Sequence, residues 1–143
     1  MTPDGELRAY VPDEIVSLMT DAVQHADVVV PNLAELGILT GTEPRTLDDI
    51  VRAARSLTGP HLVIVTSVPY HDDGGDGIAM VGVTGEGAVL THGPLFDRYF
   101  NGAGDLTSAV LTAGLVNGEP LDATLGKAAG VVHTVLELSL IHI

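Results

Sequence analysis

The chain has 143 residues, of which 45% are hydrophobic, with 17 glycines and no cysteine. This composition suits one compact α/β domain and excludes disulfides, thiolate nucleophiles and cysteine zinc sites. Asp and Glu number 19 against 6 Lys and Arg, for a formal net charge of -13, which leaves no basic surface for nucleic acid or anionic lipid.

The first half of the chain predicts the order αβααβ. Apolar residues at positions 15–23 recur at helical spacing, which predicts an amphipathic helix that buries one face. A β-branched strand over residues 27–30 precedes Asn32, which can cap a short helix that ends at Gly41. A third helix begins after Thr46, a second potential N-cap.

The middle of the chain predicts strands. Residues 61–66 are almost uninterruptedly apolar, which is typical of a buried parallel strand. Residues 71–77 are rich in Gly and Asp but lack the ligand spacing of an EF-hand, so we interpret them as a solvated mobile loop. Short apolar segments at 78–83 and 88–92 flank a hairpin signal and predict an antiparallel edge.

Two further helices are predicted at residues 104–117 and 121–137. The sequence shows no internal repeat and no linker, so we expect a single domain over residues 1–137. The last residues, 138–143, look like the translation of a sequencing adapter, and we treat them as a tail outside the fold.

A run of small residues, Asn-Gly-Ala-Gly-Asp, leads directly into the fourth helix. Such a helix start exposes unpaired backbone N–H groups at the positive end of the helix dipole. In the simpler interpretation, Asp105 only stabilises the helix N-terminus. In the other, the amides of Gly102, Ala103 and Gly104 hold a transferred phosphoryl group and Asp105 accepts a proton. No Walker A motif is present, because the only lysine, Lys127, lacks the preceding glycine spacing.

Three segments resemble, in order and spacing, the pyridoxal kinases of the ribokinase-like superfamily: residues 30–36, 62–68 and 101–109. The similarity covers nearly all of residues 8–137 and corresponds to the carboxyl-terminal, nucleotide-binding part of such a kinase. The resemblance implies part of a ribokinase-like α/β domain, with a doubly wound, mostly parallel sheet flanked by helices and an antiparallel edge hairpin.

The resemblance also implies an activity, namely ATP-dependent phosphorylation of the 5'-hydroxymethyl group of pyridoxal in vitamin B6 salvage. It makes Asp105 the catalytic base that meets the substrate hydroxyl, and Gly102, Ala103 and Gly104 the anion hole. Magnesium would be placed by Asn32 and Glu35, usually through water. The residues that would bind ATP are Glu35, Thr66, Ser67, Gly93, Pro94, Leu95 and Phe96.

Several alternatives stay open. Asn32 serves equally well as a plain helix cap, Glu35 as a solvated residue, and Thr66 with Ser67 as a strand end. A hydroxymethylpyrimidine or sugar kinase of the same superfamily is a rival, although the absent cysteine and the Phe-Asn before the glycine run favour pyridoxal kinase. A chain that keeps only the nucleotide-binding half could also be a non-catalytic ATP-binding or oligomerisation module.

The polar start of the chain and the short apolar runs predict a soluble cytoplasmic protein with no membrane partner. The resemblance alone implies a homodimer for the full-length enzyme. We expect this chain to lack the amino-terminal half of such kinases, which holds most of the pyridoxal pocket. We therefore expect the isolated chain to be inactive and poorly stable, with an exposed strand edge at residues 28–30.

Overall fold

The structure, a computed structural model, describes residues 12–95 and 102–141. Its elements follow the predicted order and are α1 (Asp13–Val23), β1 (Val28–Val29), α2 (Leu33–Thr40), α3 (Leu47–Ser56), β2 (Leu62–Asp72), β3 (Gly75–Thr84), β4 (Ala88–Pro94), α4 (Ala103–Val116) and α5 (Leu121–Ile141). The chain divides into two units. The first holds the described residues up to Ser67 with Val83–Ala88, and the second holds Val68–Gly82 with those from Val89 onward.

Four strands form one sheet in the order β1-β2-β3-β4. β1 is parallel to β2, with Val28 opposite Leu62 and Val29 opposite Val63. The connections from β2 to β3 and from β3 to β4 are too short for a crossover, so these pairs must be antiparallel. The sheet is therefore mixed, as predicted, and β1 is an edge strand among the described residues.

The expectation of a loop over residues 71–77 is wrong, because β2 and β3 extend through this segment. β2 continues to Asp72, and β3 begins at Gly75. The intervening pair Asp73-Gly74 favours a two-residue hairpin turn, and the Gly74 N–H donates to Asp72 Oδ1 at 2.8 Å. The Gly- and Asp-rich composition that suggested a loop belongs to the exposed end of this hairpin.

The core of the first unit is built from β2, α2 and α3. The first four residues of β2 are all buried, as expected for a strand covered on both faces, together with Leu36 of α2 and Ile50 of α3. Burial of each such side chain stabilises the fold by about 1.5–3 kcal/mol. Gly59, with a φ of 112°, lies so close to the Gln24 carbonyl that any Cβ would overlap it.

α1 forms as predicted, but most of its apolar face stays exposed. Ile15 is 43%, Leu18 63% and Met19 55% exposed, and only Val23 is buried. The expectation that this helix buries one face is therefore wrong for the described residues. Periodicity determines which face of a helix is apolar, whereas burial also needs a neighbouring surface.

In the second unit, α4 packs against α5. A Cβ at Gly114 of α4 would lie 2.8 Å from Thr124 Cγ2, so a glycine is needed for this close approach. The Lys127 Nζ of α5 donates to both carboxylate oxygens of Glu119, at 2.7 and 2.8 Å. α5 runs to Ile141, beyond the predicted end at Glu137.

Candidate functional site

The predicted anion hole lies at the start of α4. Gly102 is the N-cap, with a left-handed φ of 91° that favours glycine, and no side chain caps the helix. The first helical hydrogen bond joins Leu106 N–H to Gly102 O at 2.9 Å. The amides of Ala103, Gly104 and Asp105 therefore lie in the first turn without a helical acceptor. Among the described residues, no atom lies within 4 Å of a Cβ built at Gly102 or Gly104, so this part of the structure does not cover the backbone there.

Asp105 lies in the first turn of α4 and is exposed. Its position at the positive end of the helix suits both a stabilising carboxylate and a proton acceptor. Thr107, which the sequence interpretation did not include, supports the same turn because its buried Oγ1 donates to Ala103 O at 2.7 Å. A Thr four residues after a helix start is the signal that could have identified it.

Asn32 and Glu35 form a reciprocal capping box at the start of α2. Asn32 Oδ1 accepts from the Glu35 N–H at 2.8 Å, and Glu35 Oε2 accepts from the Asn32 N–H at 2.9 Å. The interpretation of Asn32 as a helix cap is thus confirmed. This geometry uses one carboxylate oxygen of the exposed Glu35 and leaves the other oxygen for water.

Thr66 lies beside Asn32 in the first unit. The two residues form a parallel bridge, and the Thr66 N–H donates to Pro31 O at 2.9 Å. Ser67 follows with a φ of 56°, the one positive value at a non-glycine residue in the described part of the chain. Such strain persists only where the surrounding structure holds it, and it is concentrated at functional sites. The expectation that Thr66 and Ser67 end their strand is wrong, because β2 continues to Asp72. Asn32 follows the carboxyl end of β1, the kind of strand end where α/β sheets bind ligands, and it joins Glu35 through the capping box and Thr66 through the bridge.

The remaining predicted ATP-binding residues lie at the end of β4, in the second unit. Gly93 is half-buried, Pro94 is exposed, and Leu95 is 56% exposed. Phe96 lies outside the described residues. The described site residues thus fall in two groups, with residues 32–67 in the first unit and residues 93–95 and 102–105 in the second.

Magnesium is compatible with Asn32 and Glu35 only in an indirect role. Across residues 12–95 and 102–141, no three His, Asp or Glu side chains form a cluster that could hold a metal ion. Mg²⁺ usually keeps several waters and binds through one or two carboxylates together with substrate phosphates. The exposed Glu35 carboxylate fits such a water-mediated position and does not form a protein cage by itself.

The mixed sheet and its helices define a ribokinase-like fold. No helix in the described part of the chain has the length and apolarity to cross a membrane. The phosphomethylpyrimidine kinase family matches residues 1–142. The chain therefore belongs to the phosphomethylpyrimidine kinase family.

Individual relatives agree with this assignment. Pyridoxal kinase PdxY of Rubrobacter xylanophilus is 43% identical over 122 residues, which cover 83% of this chain and 42% of that protein. A crystal structure of a putative phosphomethylpyrimidine kinase from Bacteroides thetaiotaomicron has a TM-score of 0.85 at 26% identity and covers 98% of this chain and 50% of its own. Plasmodium falciparum PdxK, crystallised with AMP-PNP and PL, has a TM-score of 0.75 at 26% identity, covering 93% and 48%. The chain thus spans about half the length of the relatives it matches.

Proposed function

We propose that this chain is the nucleotide-binding part of a kinase that transfers the γ-phosphoryl group of ATP to the 5'-hydroxyl of pyridoxal. The observation that carries the proposal is the start of α4, where a left-handed Gly102 and an exposed Asp105 flank accessible amides. The name of the R. xylanophilus relative and the AMP-PNP in the P. falciparum structure support a pyridoxal acceptor and an adenine nucleotide.

In the proposed reaction, the Asp105 carboxylate accepts the proton of the 5'-hydroxyl as that oxygen attacks the γ-phosphorus. The bond between the γ-phosphorus and the β,γ-bridging oxygen breaks, and ADP leaves. The amides at the start of α4 stabilise the charge on the transferred phosphoryl oxygens, because they lie at the positive end of the helix.

Asn32 and Glu35 would hold magnesium through water, and the ion would supply charge neutralisation for the phosphates when bound. Thr66 and Ser67 would meet the nucleotide within β2, beside Asn32. Pro94 and Leu95 present apolar surface at the end of β4, which suits one face of a purine ring. A homodimer of the complete enzyme stays a prediction.

The test uses a chimeric enzyme, because the chain spans only part of its relatives. This chain replaces the matching carboxyl-terminal part of the R. xylanophilus kinase, and pyridoxal 5'-phosphate formation from ATP and pyridoxal is measured. We expect activity, and Asp105→Asn should lower kcat by about 10²–10⁴-fold with little change in the KM for ATP.

Asp122→Asn is the matched control. Asp122 also lies in the first turn of a helix, α5, where its Oδ1 accepts from the Ala123 N–H at 2.8 Å. This variant removes a helix-dipole carboxylate without touching the proposed base. Equal losses of activity in the two variants, or a chimera with Asp105→Asn that works normally, would contradict the role of Asp105 as the base.

A second acceptor class is a pyrimidine, because the family description names a pyrimidine kinase and hydroxymethylpyrimidine kinases are rivals within the superfamily. A hydroxymethylpyrimidine offers the same kind of primary alcohol to the same base. The chimera is therefore assayed with both alcohols at equal concentration. A higher kcat/KM for the pyrimidine would replace pyridoxal as the proposed acceptor while the proposed roles at the start of α4 persist.

A further inference from the structure

An aromatic pair crosses the hairpin strands of the second unit. The rings of Tyr70 on β2 and His92 on β4 stack with centroids 4.3 Å apart and 19° between their planes. β3 lies between these strands in the sheet. Neighbouring strands are about 4.8 Å apart, so side chains on β2 and β4 start roughly 10 Å from each other. The two rings can therefore meet only by leaning across β3.

Gly77 of β3 lies close to both neighbouring strands near this pair. A Cβ at Gly77 would lie 2.6 Å from Gly93 O and 3.8 Å from Tyr70 O. The atom at 2.6 Å belongs to the backbone, so rotation of a side chain cannot relieve the overlap. Any other residue at position 77 would displace Gly93, the residue directly after His92.

Charged groups around the stack contribute less. Asp72 Oδ2 lies 3.9 Å from His92 Nδ1, beyond hydrogen-bond distance. His71 Nδ1 and Asp76 Oδ1 lie 2.9 Å apart, but both side chains are largely exposed. Exposed ion pairs stabilise little because water screens them. The stacked rings and the close contact at Gly77 therefore add to the pairing of β3 with β4 at this end of the sheet.

We propose that Tyr70, Gly77 and His92 are positioning residues that fix the end of β4, Gly93 to Leu95, for nucleotide binding. The inference rests on the proposed function, in which this segment lies along the nucleotide. β4 ends at Pro94, which has no N–H to add to the pairing with β3, and Leu95 lies beyond the strand and is largely exposed. Strand pairing therefore holds this end of β4 less firmly than its middle. A segment that is ordered before binding loses less conformational entropy when the nucleotide arrives.

The experiment compares paired variants of the full chain. His92→Ala removes the stack, whereas His92→Phe keeps two stacked rings. Gly77→Ala creates the overlap with Gly93, whereas Gly85→Ala adds the same methyl group in open space in the next turn. The His92 side chain is 45% exposed, so we expect His92→Ala to fold. If Gly77→Ala fails to fold, His92→Ala decides the test.

Two measurements are made on each variant. Amide hydrogen exchange by mass spectrometry, without nucleotide, follows Gly93 and Leu95, with α4 and α5 as internal references. Calorimetric titration with ADP in the presence of Mg²⁺ gives the Kd. We expect His92→Ala and Gly77→Ala to exchange at least about fivefold faster at Gly93 and Leu95 and to bind ADP about fivefold more weakly. His92→Phe and Gly85→Ala should stay close to the wild type in both measurements.

Each other outcome overturns a stated part of the proposal. Unchanged exchange at Gly93 and Leu95 would show that the stack and Gly77 do not fix the segment. Faster exchange with unchanged ADP affinity would show that the order of Gly93 and Leu95 does not contribute to nucleotide binding. A wild-type chain that binds no ADP would overturn that link together with the proposed nucleotide site, and the exchange data would still decide the positioning role.

Discussion

Replacing Glu35 with Gln separates the capping of α2 from the proposed water-mediated role of Glu35 in magnesium binding. In the capping box, Glu35 Oε2 accepts from the Asn32 N–H at 2.9 Å, and Gln offers an equivalent oxygen. Glu35→Gln therefore keeps the hydrogen bond and loses only the interaction of the charge with the helix dipole. At an exposed helix end this interaction amounts to about 0.3–1 kcal/mol. Glu35→Ala also leaves the Asn32 N–H without its partner, which adds a loss of about 1 kcal/mol.

The functional consequence is different, because a water-mediated magnesium site depends on the charge. Loss of such an indirect partner typically lowers metal affinity by about 10–100-fold. We expect Glu35→Gln to weaken ADP binding by about tenfold in the presence of Mg²⁺ and to leave ADP binding without Mg²⁺ unchanged. Calorimetric titrations with and without Mg²⁺ measure this difference, and urea unfolding measures the stability of the same variants.

The capping box of α3 supplies a matched control. Thr46 Oγ1 accepts from the Asp49 N–H, and Asp49 Oδ2 accepts from the Thr46 N–H, both at 3.1 Å. Asp49→Asn makes the same chemical change in the same motif, without a proposed metal role. If both variants leave the Mg²⁺ dependence of ADP binding unchanged, Glu35 is only a cap. If Glu35→Gln destabilises the chain as much as Glu35→Ala, the capping explanation is wrong.

Two further predictions concern stability. Thr124 is 1% exposed, and its Oγ1 has no hydrogen-bond partner among the described residues. Thr124→Val should therefore raise the free energy of unfolding in urea by about 1 kcal/mol. A decrease of similar size would show that the hydroxyl is hydrogen-bonded. A hydrogen bond from the Arg45 N–H has the largest effect in holding the pKa of Asp49 below its usual value of 3.8. Hydrogen bonds from Thr46 and the positive charge of the nearby Arg52 act in the same direction. Stability from Asp49 is then present above the unfolded-state pKa and lost as pH falls through the lower folded-state value, so Asp49→Asn should reduce the fall in Tm between about pH 5 and pH 2.

The features that the sequence predicted correctly are local ones. Asn32 and Thr46 were expected as N-caps and both form capping boxes, because the partner of a cap lies three residues away. Gly41 ends α2 in the left-handed conformation, with a φ of 66°. The glycine-rich start of α4 was also predicted from the local sequence, because a helix start depends on a few consecutive residues.

The features that the sequence did not predict depend on residues far apart in the chain. The stack of Tyr70 on His92 and the contact of Gly77 with Gly93 exist only once three strands have paired. The exposed face of α1 has the same cause. The apolar pattern of this helix predicts burial, but burial also depends on a covering surface that the local sequence does not determine. The positive φ of Ser67 has no signal in its residue type, which normally avoids this conformation.

Within the described residues, the phosphate binding proposed above would draw on backbone geometry more than on basic side chains. Each Lys and Arg of the described residues already contacts an acidic side chain or a carbonyl oxygen: Lys127 with Glu119, Arg45 with Glu43, Arg52 with Asp49 and Arg55 with Thr84 O. Backbone amides and a cation that arrives with the nucleotide can replace such side chains. Amides act only where the chain holds them in place, so affinity should respond more to residues that fix short segments, such as Gly77 and Gly102, than to changes in surface charge.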